Sequence, residues 1–183
     1  TGASARLDEI MVHAQNVSHR DIICADTHAS GAGPISYGVH VARVRVDAET
    51  GDVKLTDYVA VHDVGHVLNR MSLEGQLHGG IQMGLGYALS EGLSLKPDGS
   101  GALKNRFLRD CHLFRATDMP RDIRVEFLES EEHTGPFGAK SVGECGVVPV
   151  AGAVAAAVGN ALGRTFTKLP IDEEAVVCAA RES

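Results

Sequence analysis

The sequence predicts an α+β protein, an antiparallel or mixed sheet with packed helices. Three observations carry that prediction. "ISYGVHVARVRVDAETGDVKLTDYVAVHDVG", from Ile35, alternates apolar and polar residues on both sides of a turn. "SLEGQLHGGIQMGLGYALSEGL", from Ser72, places Leu77, Ile81, Leu85 and Leu89 at a helical spacing. An alanine-rich apolar run from about Val150 to Leu162 follows a glycine-rich loop. The chain has 183 residues and 44% hydrophobic content, enough for a core, and it shows no internal repeat or low-complexity segment. The order hairpin, helix, strand, helix, helix therefore fits one α+β unit.

Each element has a local reason. In the first hairpin arm Val39, Val41, Val44 and Val46 dominate; in the second Val53, Leu55, Tyr58, Val59 and Val61 do. Gly51 and its flanking acids supply the turn, and breaks in strict alternation predict bulges or two-sided burial. The helix from Ser72 contains five glycines, each costing about 1 kcal/mol against alanine in a helix interior. At about 100° per residue, Gly75, Gly79 and Gly86 share one face and Gly80 and Gly84 nearly the opposite one. Two close approaches are thus expected, one by neighbouring backbone and one by a ligand. "KPDGSG", from Lys96, is a hairpin or loop, and "IRVEFLES", from Ile123, is a strand. Gly163 and Arg164 stop the alanine-rich helix, and "IDEEAVVCAA" is a short helix with acids in its first turn.

Bulk properties exclude several functions. A net charge of -7 with dispersed Lys and Arg offers no face for nucleic acid and no polybasic membrane patch. The apolar run from Val147 carries proline, glycines and Asn and is too short to span a bilayer. No signal-peptide pattern opens the sequence, so a cytoplasmic location is expected. Cys24, Cys111, Cys145 and Cys178 are widely separated, with no CxxC pair for zinc or an iron-sulfur cluster.

Three motifs compete for the chemistry. "GPFGAKSVGE", residues 135 to 144, approaches a phosphate-cradling loop, but Ala139 stands where that motif needs glycine before the lysine. Phosphate contact through backbone amides survives this departure; nucleotide hydrolysis does not. "HDVGH", His62 to His66, imitates a zinc-protease pair, yet it follows a strand and contains glycine, so the two rings are not expected to converge. Glu144 closes the glycine loop just before an apolar helix start, where partial desolvation would favour a general base. Taken alone, it could equally be a carboxylate balancing a helix dipole.

Three ordered blocks shift that balance: the hairpin, "EGQLHGGIQMGLGYALSEGL", and "GPFGAKSVGE" followed by "AAAVGNALG". Together they resemble the C-terminal part of the molybdenum-binding large subunit of the xanthine dehydrogenase and aldehyde oxidase family of molybdenum hydroxylases. The resemblance runs from about Ile35 to Val177, leaving residues 1–34 as a poorly matched segment and 35–183 as the C-terminal part of a molybdopterin-binding domain. It implies Glu144 as the base beside molybdenum, and Gln76, Gly79, Gly80, Lys140, Ser141, Val142 and Gly143 as residues facing the pterin or its phosphate-bearing tail. Arg70 and Cys145 stand where the family often has proline, and Ser141 where it often has glycine.

The same resemblance implies molybdopterin, in its cytosine dinucleotide form, with molybdenum. It also implies [2Fe-2S] and FAD on partner chains, another molybdopterin-binding chain that completes the site, and an aldehyde or aromatic N-heterocycle as substrate. The alternative reading is a non-catalytic structural subunit of a larger oxidoreductase complex.

Overall fold

The computed structural model describes residues 4–27 and 33–182. The chain forms two compact units, residues 1–31 and 32–183. In the first, helix α1 (Leu7–Asn16) carries Asp8 and Glu9 in its first turn, where the helix dipole favours acids, and Glu9 accepts the Arg6 N–H at 3.0 Å. None of its residues is buried.

The second unit is built on a three-stranded mixed sheet. Strands β1 (Tyr37–Val46) and β2 (Val53–Asp63) form the antiparallel hairpin that the alternation predicts. Its turn is fixed by Gly51 at φ 82° and by Asp47, whose carboxylate accepts the N–H groups of Glu49 and Thr50. The register shifts after Arg43, leaving Thr56 as the extra residue. This bulge explains the broken alternation: Leu55 before it and Tyr58, Ala60 and His62 after it are all buried. Strand β3 (Asp122–Leu128) joins the other edge of β2 in parallel, giving the order β1-β2-β3.

Helix α2 (Arg70–Leu89) begins two residues before the predicted Ser72, because Asn69 is the cap that accepts the Ser72 N–H at 3.0 Å. Arg70 occupies the first helical position, one that readily takes proline. Here its side chain pairs with Glu74 at 2.8 Å and lies 5.4 Å from the Phe127 ring centre. Helix α3 (Val150–Leu162) ends at Gly163 in the left-handed conformation, and helix α4 (Glu173–Arg181) starts at Asp172, which caps the Ala175 N–H.

Leu77, Ile81 and Leu85 of α2 meet Val150, Val154 and Val158 of α3 in the core, with Tyr58 and Ala60 below and Val176 of α4 beside them. Leu89 is half-buried. A Cβ at Gly84 would lie 2.5 Å from Val150 Cβ, and one at Gly80 would lie 2.9 Å from the Gly146 carbonyl carbon. One predicted glycine face therefore admits α3 and the backbone leading into it. The other divides: Gly75 and Gly79 border open space, whereas Gly86 is buried against the Glu91 side chain. No described helix is long and apolar enough to cross a membrane.

Candidate functional site

The glycine-rich loop is held along its length by residues far away in sequence. At and just after a 3-10 turn at Pro136–Gly138, the segment following β2 grips the chain backbone to backbone. His66 N–H donates to the Gly138 carbonyl at 2.7 Å and Lys140 N–H to the Val64 carbonyl at 2.8 Å. Gly65, at φ 63°, has the Gly138 carbonyl where a Cβ would stand, so this crossing requires glycine. The Ser36 hydroxyl donates to the Ser141 carbonyl at 2.6 Å. The Gln76 amide donates to the Gly143 carbonyl at 2.5 Å, joining the first turns of α2 to the residue before Glu144.

Between these anchors the side chains divide by environment. Val142 and Cys145 pack toward the core, and burial pushes the Cys145 thiol pKa up. Ser141, Gly143 and Glu144 are exposed. Partial desolvation is expected for Glu144, whereas in this chain its carboxylate is exposed; Val142, two residues before it, and Cys145, directly after it, take the inward positions. Among the described residues no acceptor meets the N–H groups of Ser141, Val142 or Gly143. Gly79 and Gly143 are bare on their outer sides. The Gln76 amide, the unpaired N–H groups of Ser141, Val142 and Gly143, and the exposed Glu144 carboxylate thus lie along one short stretch of loop. Of these, the unpaired backbone N–H groups are donors of the kind that anionic groups accept from.

Lys140 is different. Its ammonium is 2.8 Å from Asp63, with the lysine side chain 8% and the aspartate side chain 16% exposed. Asp63 also accepts Ser130 Oγ at 2.8 Å and Gly65 N–H at 3.1 Å. Hydrogen bonds from Lys140, Ser130 and Gly65 hold its carboxyl at a pKa of about 2. The lysine that resembled a phosphate contact has its ammonium and its N–H both committed inside the protein.

The "HDVGH" histidines part company. His66 is exposed and 2.8 Å from Glu129, whereas His62 is buried on β2 with Nε2 2.7 Å from His40 Nε2. No group of three metal-ligating side chains occurs among the described residues. Sequence reasoning missed the cluster that His62 does join, in which His40 Nδ1 is 2.8 Å from the Tyr58 hydroxyl. Hairpin pairing is the signal that could have found it, but only with the bulge counted, since Thr56 resets which residues face inward. The proton arrangement leaving fewest atoms unpaired runs Tyr58 O–H to His40, then His40 N–H to His62. His62 Nδ1 remains without a partner, against Gly38, where a Cβ would sit 2.6 Å away. Burial lowers both histidine pKa values, that of His40 to about 4.

Comparison with known proteins now decides the family. Residues 3–120 match the family model described as a molybdopterin cofactor-binding domain. The chain belongs to the xanthine dehydrogenase and aldehyde oxidoreductase family of molybdenum hydroxylases. The putative xanthine dehydrogenase molybdenum-binding subunit XdhA of Escherichia coli K12 is 36% identical over 138 residues, covering 75% of this chain and 18% of that protein. Quinoline 2-oxidoreductase from Pseudomonas putida 86 superposes with a TM-score of 0.74 at 34% identity, over 80% of this chain and 19% of its own. The aldehyde oxidoreductase of Desulfovibrio desulfuricans gives a TM-score of 0.71 at 30% identity, over 79% and 15%. This molybdenum hydroxylase chain thus spans less than a fifth of each of these relatives. The family-model match takes in residues 3–34, which carry none of the three motif blocks, and ends before the Glu144 loop.

Proposed function

We propose that this chain supplies the general base and one cofactor-facing wall of a molybdenum hydroxylase. The enzyme would use water to hydroxylate an aldehyde or an aromatic N-heterocycle, purine- or nicotinate-like. The carrying observation is the Gln76 bond to the Gly143 carbonyl. It links two motif blocks 67 residues apart and leaves Glu144 exposed next to the junction. Gln76, Gly79 and the free amides of Ser141, Val142 and Gly143 would hold molybdopterin, in its cytosine dinucleotide form. Gly80 contributes by letting α2 approach the Gly146 backbone. Lys140 acts by shaping the loop.

The bound molybdenum centre supplies the two-electron oxidation of the substrate carbon. Glu144 accepts the proton released as water oxygen becomes bonded to that carbon. Its carboxylate needs a fixed position for this, and the anchors at Lys140 and Gly143 support that role by holding the backbone that leads to it. The dry surroundings that sharpen such a transfer must come from polypeptide covering Glu144, because this chain leaves it in solvent. A second molybdopterin-binding chain would complete the pocket, and subunits with [2Fe-2S] and FAD would carry the electrons away. The name of the E. coli relative, a molybdenum-binding subunit, is in line with such an assembly.

Glu144→Gln in the assembled enzyme should lower kcat about 10²- to 10⁴-fold, the range for a lost general base, while molybdenum content stays at the wild-type level. A near-normal rate would overturn the assignment. Exposure of Glu144 also favours a second reading, a non-catalytic subunit that docks to a larger enzyme. Purified complex without molybdopterin would select that reading.

A further inference from the structure

We propose that Asp63 is a positioning residue for Glu144, acting through Lys140; this rests on the reading of Glu144 as the base. Asp63 ends β2 and gathers three segments on one carboxylate: the turn after β2 through Gly65 N–H, the segment after β3 through Ser130 Oγ, and the glycine loop through Lys140 Nζ. The lysine contact joins residues 77 apart in sequence and is almost wholly withdrawn from solvent. The ammonium also lies 5.7 Å from the Tyr37 ring centre, so β1 closes over it. From this clamp the chain runs only four residues to Glu144, and Gln76 holds Gly143 on the way. Residues 141–143 are therefore tethered at both ends, with Val142 turned inward between them. The backbone bonds of Lys140 N–H to the Val64 carbonyl and of Ser36 to the Ser141 carbonyl remain when the ion pair is lost, so removing the pair loosens this end of the segment and lets the Glu144 carboxylate drift without releasing the loop. An ångström-scale misplacement of a reacting group is enough to cost about a hundredfold in rate.

Cys145 reports the state of this segment without any catalysis. Its thiol is half-buried against the core beside Glu144, so loosening the loop exposes it further. Asp63→Asn strands a buried ammonium, so the decisive variant is Asp63→Asn/Lys140→Met, which removes both charges. In the 183-residue chain, iodoacetamide alkylation of Cys145, read by peptide mass spectrometry, should rise about tenfold in the double variant while the melting temperature stays close to wild type. Asp63→Glu, which keeps a carboxylate for the lysine, should stay near the wild-type alkylation rate. In the assembled molybdenum enzyme the double variant should lose about a hundredfold in kcat with KM nearly unchanged. Wild-type alkylation of Cys145 in the double variant, or wild-type kcat, overturns the proposal. Glu144→Gln, measured in parallel, keeps the two readings apart: a normal rate there defeats the base assignment, while Cys145 alkylation still judges the clamp.

Discussion

Acidification should destabilise this protein in a window set by half-buried His40 and buried His62. His40 has a folded pKa of about 4 against an ordinary value of 6.5, because burial and the neighbouring His62 disfavour its charged form. Protons therefore bind the unfolded chain more readily than the folded one. The contribution is fully present above pH 6.5 and is lost as pH falls toward 4. At pH 5 unfolded His40 is almost fully protonated and folded His40 is not, which amounts to about 2 kcal/mol. His62, lowered by its own burial, acts in the same direction. Against a typical stability of about 5–15 kcal/mol the loss is easily measured. Urea unfolding followed by circular dichroism at pH 7.5, 6 and 5 should show the midpoint falling with an unchanged slope. His40→Gln keeps a polar side chain but cannot take up the proton, so its stability should vary less with pH. Equal stability of the wild type at pH 7.5 and 5, or an equal fall in His40→Gln, would refute the reasoning.

Asp63 acts in a separate window: its pKa is depressed to about 2, so its contribution is present above the ordinary 3.8 and disappears as pH falls from there. Asp63→Asn should accordingly flatten the stability profile only below about pH 4, in the same urea titration. Gly84→Val would drive methyl groups into Val150 and should cost about 1–3 kcal/mol, seen as a lower melting temperature. Tyr58→Phe removes the donor to His40 and should cost about 1 kcal/mol. Gln76→Ala cuts an exposed side chain, so melting should barely change, while the molybdenum content of the assembled enzyme drops.

Much of the fold is legible because its signals are local. Val150–Leu162 is helical between the predicted limits, since an alanine-rich run closed by Gly163 leaves little choice of boundaries. Gly51 fixes the hairpin turn for a similar reason. The start of α2 is less legible: Ser72 and Asn69 are both good caps, and the backbone bends at Asn69. α1 has its signal in the sequence although it is not among the predicted elements: Leu7, Ile10, Met11 and Ala14 stand at i, i+3, i+4 and i+7, the spacing of an amphipathic helix, while none of its residues is buried. At the site, Gln76 and Gly143 are visible as motif members, but their contact depends on how α2 meets the loop. The Asp63 and Lys140 pairing is hidden because it spans 77 residues and forms only where β2 ends against the loop. The histidine cluster is hidden by a single bulge residue, Thr56.

The same placement accounts for the lysine that made the loop resemble a phosphate cradle. Here the lysine is turned inward and its charge is matched by Asp63, so it contributes rigidity to the loop and little field at its surface. The backbone N–H groups of Ser141, Val142 and Gly143 meet no acceptor among the described residues. Backbone amides cost no side-chain entropy to hold in place, and a loop pinned at Lys140 and Gly143 presents them in one arrangement. On the proposed reading, side-chain charge serves the scaffold and backbone dipoles serve the ligand, so that an exposed segment meets a large anionic cofactor already ordered.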